Sequence, residues 1–176
     1  MNKDTTVVYF HGYGSSSKSD KVSALTAVAP DIPVTYDEAR KVLVEFLTPL
    51  LKNPNVVFVG TSLGGYWATI MSDLFGVPAV IINPSTTPRI SLNKYRNPVL
   101  TCAELAKYPD LAPTFGVPKV VLLAKDDEVF DYKIAEKLFA DVAEVKVFEK
   151  GGHRFNDINT ISDNIDELLD HSFYLP

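Results

Sequence analysis

Residues 60–64 read Gly-Thr-Ser-Leu-Gly, directly after the apolar run at 56–59 and at the start of a helix-like stretch over 63–75. Gly-x-Ser-x-Gly between a strand and a helix is the spacing of a nucleophile elbow. Sterics explain the residue types. The serine sits in a tight, strained turn, and the positions two residues to either side press on neighbouring backbone. A Cβ there would collide, so both are glycine. The turn lifts the Ser62 hydroxyl above the sheet edge and aims the Leu63 amide at the reacting oxygen. The competing reading is an ordinary tight turn in which Ser62 only caps the helix. The bare pattern arises by chance in roughly one chain in twenty of this length, so its surroundings must decide.

Those surroundings alternate short apolar runs with longer amphipathic stretches. The apolar runs predict strands over 7–10, 56–59, 79–82, 119–124 and 144–148, with a short additional strand over 33–36. Helical spacing predicts helices over 20–29 (Ser19 or Asp20 as N-cap, Pro30 as terminator), 37–51, 63–75, 132–141 and 159–170. Wholly apolar strands imply burial on both faces, and strand–helix alternation implies crossover connections. The predicted fold class is therefore α/β, with a doubly wound, mainly parallel sheet flanked by helices. With 176 residues and 46% hydrophobic side chains the chain suffices for one core, and residues 1–176 are read as a single domain. Residues 85–116, which carry Pro88, Pro98, Pro109 and Pro113, are read as an irregular lid or pocket segment. Tyr95, Leu100 and Phe115 are the side chains expected to line that pocket.

Composition narrows the function classes. A formal net charge of −5 repels phosphate backbones and anionic lipid, so neither nucleic acid nor a membrane is the expected partner. No apolar run approaches the roughly 20 residues of a membrane span. The polar start, Met1 to Thr6, lacks the apolar core of a signal peptide, and the expected location is the cytoplasm. One cysteine, Cys102, permits no internal disulfide and no cysteine-based metal site. It is read as a small buried side chain or an idle thiol.

In a sheet of this kind ligands sit beyond the carboxyl ends of the strands. Ser62 is there, but a serine hydroxyl needs a base. Of the three histidines, His171 falls near the end of the last helix and is expected to be merely exposed. His153 follows the last strand behind Gly151-Gly152, on the same sheet edge as Ser62, and is the candidate base. The orienting acid should follow an intervening strand, since the chain order in this arrangement is serine, acid, histidine. Strand 119–124 runs into Lys125-Asp126-Asp127-Glu128. Asp127 is the choice and Asp126 the alternative, while Asp126 and Glu128 otherwise read as solvated carboxylates or a helix cap. His11-Gly12-Tyr13-Gly14 after the first strand suits an oxyanion loop, with the Tyr13 amide joining that of Leu63 and His11 bracing the loop.

The segments Tyr9-Phe10-His11-Gly12-Tyr13-Gly14-Ser15-Ser16, Gly60-Thr61-Ser62-Leu63-Gly64-Gly65-Tyr66-Trp67-Ala68-Thr69 and Ile82-Asn83-Pro84-Ser85 resemble the small YqiA/YcfP-like bacterial esterases of the α/β-hydrolase superfamily. So do Asp127-Glu128-Val129 with Asp131-Tyr132, and Gly151-Gly152-His153 with Phe155. The resemblance implies a minimal α/β-hydrolase fold and carboxylesterase or thioesterase activity on small acyl esters. It also implies a Ser62–His153–Asp127 triad and no metal or organic cofactor. Two other classes compete. Residues 12–19, Gly-Tyr-Gly-Ser-Ser-Ser-Lys-Ser, nearly match a phosphate-binding loop, failing at Ser17 where glycine is expected. A non-catalytic binding or scaffold protein on the same fold is the third reading.

Overall fold

The computed structural model describes residues 5–172, with side chains through residue 170. Five strands, β1 Thr6–Phe10, β2 Val56–Thr61, β3 Ala79–Ile82, β4 Lys119–Ala124 and β5 Glu144–Phe148, form one parallel sheet in the order β1-β2-β3-β4-β5. The β2, β3 and β4 residues are all buried, whereas β5 is half-exposed at the edge. The helices are α1 Asp20–Ala24, α2 Tyr36–Leu50, α3 Leu63–Phe75, α4 Pro88–Asn93, α5 Cys102–Ala106, α6 Tyr132–Phe139 and α7 Ile158–Ser172.

Alternate strand residues feed two cores, as a period of two requires. Phe10, Phe58, Ile81 and Val121 pack with α2, α3 and α6 through Leu43, Trp67, Met71 and Phe139. Tyr9, Val59, Val80 and Leu122 pack with α1 and α7 through Leu25, Ile161 and Ile165. Helices thus cover both faces, and the sheet is doubly wound. After β1 the chain turns outward to Val28, which bridges Val8 in parallel on the edge opposite β2. α2 then crosses back to deliver β2. The direction of winding reverses at β1, which places the switch point, the usual ligand crevice of such sheets, at the carboxyl ends of β1 and β2.

The five main strands and most helices lie where their patterns predict, but several details differ. The helix expected over 20–29 stops at Ala24, because Thr26 turns the chain at φ 50° and Val28 is captured by the sheet through bonds with Val7 and Tyr9 of 2.9 Å each. Ser19 sits at its N-cap position but makes no side-chain capping bond. Residues 33–36 form no strand, and Tyr36 instead opens α2. The 85–116 segment is not wholly irregular, since it contains α4 and α5. α6 ends at Phe139, before the expected 141. Cys102 is exposed, not buried. Among the described residues, no helix is long and apolar enough to cross a membrane.

Candidate active site

Ser62 stands between β2 and α3 at φ 61° and ψ −121°. A non-glycine residue held there costs about 1–3 kcal/mol and persists only when its surroundings force it. They do. A Cβ on Gly64 would lie 1.9 Å from the Phe10 carbonyl oxygen, and one on Gly60 would lie 2.2 Å from the Gly64 carbonyl oxygen. β1, β2 and α3 therefore meet with no room for side chains at those two positions. The Ser62 amide donates to Ile82 O (3.0 Å), and its carbonyl accepts from the Ser85 amide (3.0 Å) and the Tyr66 amide (3.1 Å). The Ser62 side chain does not cap α3, so the ordinary-turn reading does not describe what is observed.

The histidine and the acid come together. His153 Nδ1 lies 3.0 Å from each oxygen of the Asp127 carboxylate. A carboxylate only accepts, so Nδ1 carries a proton, and in the neutral ring Nε2 is the acceptor. Asp127 Oδ1 also accepts from the amides of Val129 (2.7 Å) and Phe130 (3.0 Å), and the Asp127 side chain is 2% exposed. Phe130 packs its ring edge-to-face on the imidazole at 5.0 Å.

Asp126, the alternative acid, and Glu128, both otherwise read from sequence as solvated carboxylates or a helix cap, are engaged with the same loop. Asp126 Oδ1 accepts the Gly152 amide (2.7 Å) and Glu128 Oε2 accepts the His153 amide (3.0 Å). That second bond holds the Glu128 carboxyl below its ordinary range. All three consecutive carboxylates thus grip the histidine loop, each at a different atom.

Sequence reasoning missed Asn83 as a functional position. Asn83 is buried at φ 39°, just beyond β3. Its Nδ2 donates to Gly152 O (3.0 Å) and His153 O (3.1 Å), and its Oδ1 accepts the Ala124 amide (2.9 Å). One amide side chain therefore ties the ends of β3 and β4 to the loop. Asn83 stood in the Ile-Asn-Pro-Ser segment, but nothing local distinguishes it from a turn asparagine.

A cavity of about 640 Å³ opens over these groups, with Ser62, His153, Tyr13, Tyr95 and Lys21 among its lining residues. Ser62 and His153 share it, but no hydrogen bond joins their side chains among the described residues. In unliganded sites such bonds are often open until substrate binds. On the other side of Tyr13 a smaller cavity of about 260 Å³ is walled by Ile32, Pro33, Val34 and Leu63. The Tyr13 ring stacks on Tyr95 at 4.3 Å and its hydroxyl accepts from Asn97 Nδ2 (3.0 Å). Tyr95 thus lines the site as expected. Leu100 instead belongs to the core, and Phe115 is 84% exposed and lines neither cavity.

The first loop is built as a brace. His11 is buried, Nδ1 donates to Gly12 O (3.0 Å), and Nε2 accepts the Ile32 amide (3.0 Å). Gly12 approaches Ser62 so closely that a Cβ on it would lie 3.8 Å from Ser62 Oγ. The amides of Tyr13 and Leu63 donate to no protein acceptor among the described residues. The phosphate-loop alternative fares poorly. The Ser17 amide is taken by Asp31 (3.0 Å), that of Lys18 by Ser16 Oγ (3.3 Å), and that of Ser15 by Gly12 O (3.2 Å). The side chain of His171 lies outside the described residues. Among the described residues no cluster of three or more His, Cys, Asp or Glu could hold a metal ion.

Comparison with known proteins agrees with this architecture. The enzyme MGS-MChE2, an α/β-hydrolase from the metagenome of lagoon sediments at Mar Chica, superposes with a TM-score of 0.72 at 20% identity, covering 97% of this chain and 92% of that one. Est1E from Butyrivibrio proteoclasticus superposes with a TM-score of 0.76 at 10% identity, covering 99% and 91%. These likenesses show the α/β-hydrolase fold. A UPF0227 protein of Vibrio vulnificus is 25% identical over 171 residues, covering 87% of this chain and 92% of the relative. The model of the family described as "Uncharacterised protein family (UPF0227)" matches residues 6–170, and the chain belongs to that family, in agreement with the resemblance its motifs carry.

Proposed function

We propose that this chain is a serine hydrolase that cleaves small acyl esters or thioesters, with Ser62 as nucleophile, His153 as base and Asp127 as the orienting acid. One observation carries the reading. A serine forced to φ 61° at a strand–helix junction shares a cavity with an imidazole whose Nδ1 is locked to a buried carboxylate. Strain and a desolvated His–Asp pair are costly, and both are spent on the same small volume. That the Pyrococcus furiosus esterase Pf2001 shares the fold adds support.

In the proposed reaction His153 Nε2 takes the Ser62 proton as Oγ attacks the acyl carbon. The amides of Tyr13 and Leu63 receive the developing oxyanion, where losing one donor typically costs about 10²–10³ in rate. His153 then returns the proton to the departing alcohol or thiol, and water, deprotonated by the same imidazole, hydrolyses the acyl-enzyme. Asp127 holds the ring and stabilises its charged form. No step calls for a metal or an organic cofactor.

The test is direct. A fluorophosphonate probe should label Ser62, and Ser62→Ala should abolish both labelling and p-nitrophenyl ester hydrolysis. A folded protein that neither labels nor cleaves any oxygen ester or thioester would leave a binding or scaffold role in its place.

A further inference from the structure

The proposed chemistry makes no use of one wall of the large cavity. Lys21, on α1, is only 9% exposed and lines the cavity with Ser62 and His153. Its ammonium donates to the Arg154 carbonyl. Among the described residues no carboxylate lies within ion-pair distance of either Lys21 or Arg154, which lines the same cavity. Burial, with the Arg154 charge beside it, pushes the Lys21 ammonium down to about 8. Ser19 also borders this cavity, and its hydroxyl is buried with no hydrogen-bond partner among the described residues.

The molecule contains a control. Lys119 is also buried, at 3% exposure, but its ammonium meets Asp73 at 2.5 Å and the carbonyls of Thr114 and Val117. A buried cation is normally closed off in that way, because an uncompensated one is expensive. Lys21 is not closed off. Of the acids on its cavity, Glu128 has given an oxygen to the His153 amide, and Asp20 is exposed in the first turn of α1. Two like charges beside one cavity, one of them buried, suit an anionic partner.

We propose that this wall binds an anionic group, a carboxylate or a phosphate, carried by the ester substrate and held by Lys21 and Arg154. The inference rests on the hydrolase reading and deepens it to a substrate class. The substrate has an apolar part that suits the small cavity behind Tyr13 and a charged part that lies in the large one.

The experiment compares kcat/KM within matched pairs. Mono-p-nitrophenyl glutarate against its methyl ester carries the charge on the acyl side, and 4-acetoxybenzoate against its methyl ester carries it on the leaving side. At least one pair should favour the charged member by about tenfold, the scale of a charge-assisted contact. Lys21→Met and Arg154→Gln should each bring that ratio towards one. Because the readout is a ratio, a general loss of activity cancels, and Arg154→Gln alters an exposed residue. Inhibition by glutarate or by inorganic phosphate separates the two anion chemistries. No preference in either pair, or a preference that survives both substitutions, overturns the proposal. Calorimetric binding of the same esters to Ser62→Ala separates the two claims. If wild-type Ser62 proves unreactive yet Lys21-dependent selectivity for the charged ester persists, the anion site stands and the hydrolase reading falls.

Discussion

The two halves of the candidate site are held in place by opposite means. The Ser62 elbow is a backbone object, in which two glycines let β1, β2 and α3 close on each other until only one serine conformation fits. The His153 loop has no regular structure and is held by side chains reaching in from elsewhere. Asp126 and Glu128 take the amides of residues 152 and 153, Asn83 takes both their carbonyls, Lys21 takes that of Arg154, and Asp127 takes the ring. The contrast teaches where each half is vulnerable. The elbow should fail by collision and all at once, the loop by degrees as individual bonds are lost.

The largest expected effect tests the elbow. Gly64→Ala places a methyl group against the Phe10 carbonyl, where backbone on both sides must move. Destabilisation should exceed about 3 kcal/mol, visible as loss of soluble folded protein or a much lower urea midpoint. A variant that unfolds like wild type would mean the packing at the elbow is looser than described.

Next comes the loop's most buried bond. Asp127→Asn should lower kcat about 10⁴-fold, because an amide no longer enforces the Nδ1–H tautomer. Asp126→Asn keeps an oxygen for the Gly152 amide and should cost only about threefold or less. Steady-state kinetics on one p-nitrophenyl ester distinguishes them, and the reverse ranking would move the acid by one residue.

Asn83→Ala sharpens the comparison further. It removes three bonds from one side chain that never reaches the reacting atoms. Misplacing the imidazole by a fraction of an ångström should lower kcat roughly 10- to 100-fold with KM little changed. An equal loss in both constants, or a loss explained by unfolding, would make Asn83 a purely structural residue.

The smallest effect is on selectivity. Lys21 keeps its charge below a pH of about 8 and loses it above, since its pKa is depressed from the ordinary 10.5. The preference for charged esters should therefore be full near neutrality and weaken several-fold as pH passes 8, with Arg154 retaining the remainder. Asp20, Glu128, Tyr9, His153 and Arg154 share that cavity, so the ratio within a matched pair, not the rate, is the quantity to follow.

The errors of the sequence reading have a common cause. The 20–29 stretch has a helical pattern, yet Val28 is drawn to the open edge of β1. Phe115 is an apolar residue in a pocket-forming segment, yet it faces solvent, while Asn97, polar and unremarked, reaches Tyr13. Asp126 and Glu128 read as solvated acids or a helix cap beside the chosen Asp127, yet both bind the distant 151–154 loop. In each case the deciding partner is distant in the chain, and no local propensity encodes it.

By itself the sequence determined what depends on near neighbours. Burial-ready strands, the helical spacing between them and the glycine spacing around Ser62 are all properties of consecutive residues, governed by sterics and hydrophobic periodicity. The tertiary structure decided which acid meets His153, that Asn83 binds the loop, and that Lys21 is buried with no counter-charge among the described residues. Those outcomes depend on which groups face each other across tens of residues of chain, and on whether water is excluded once they do.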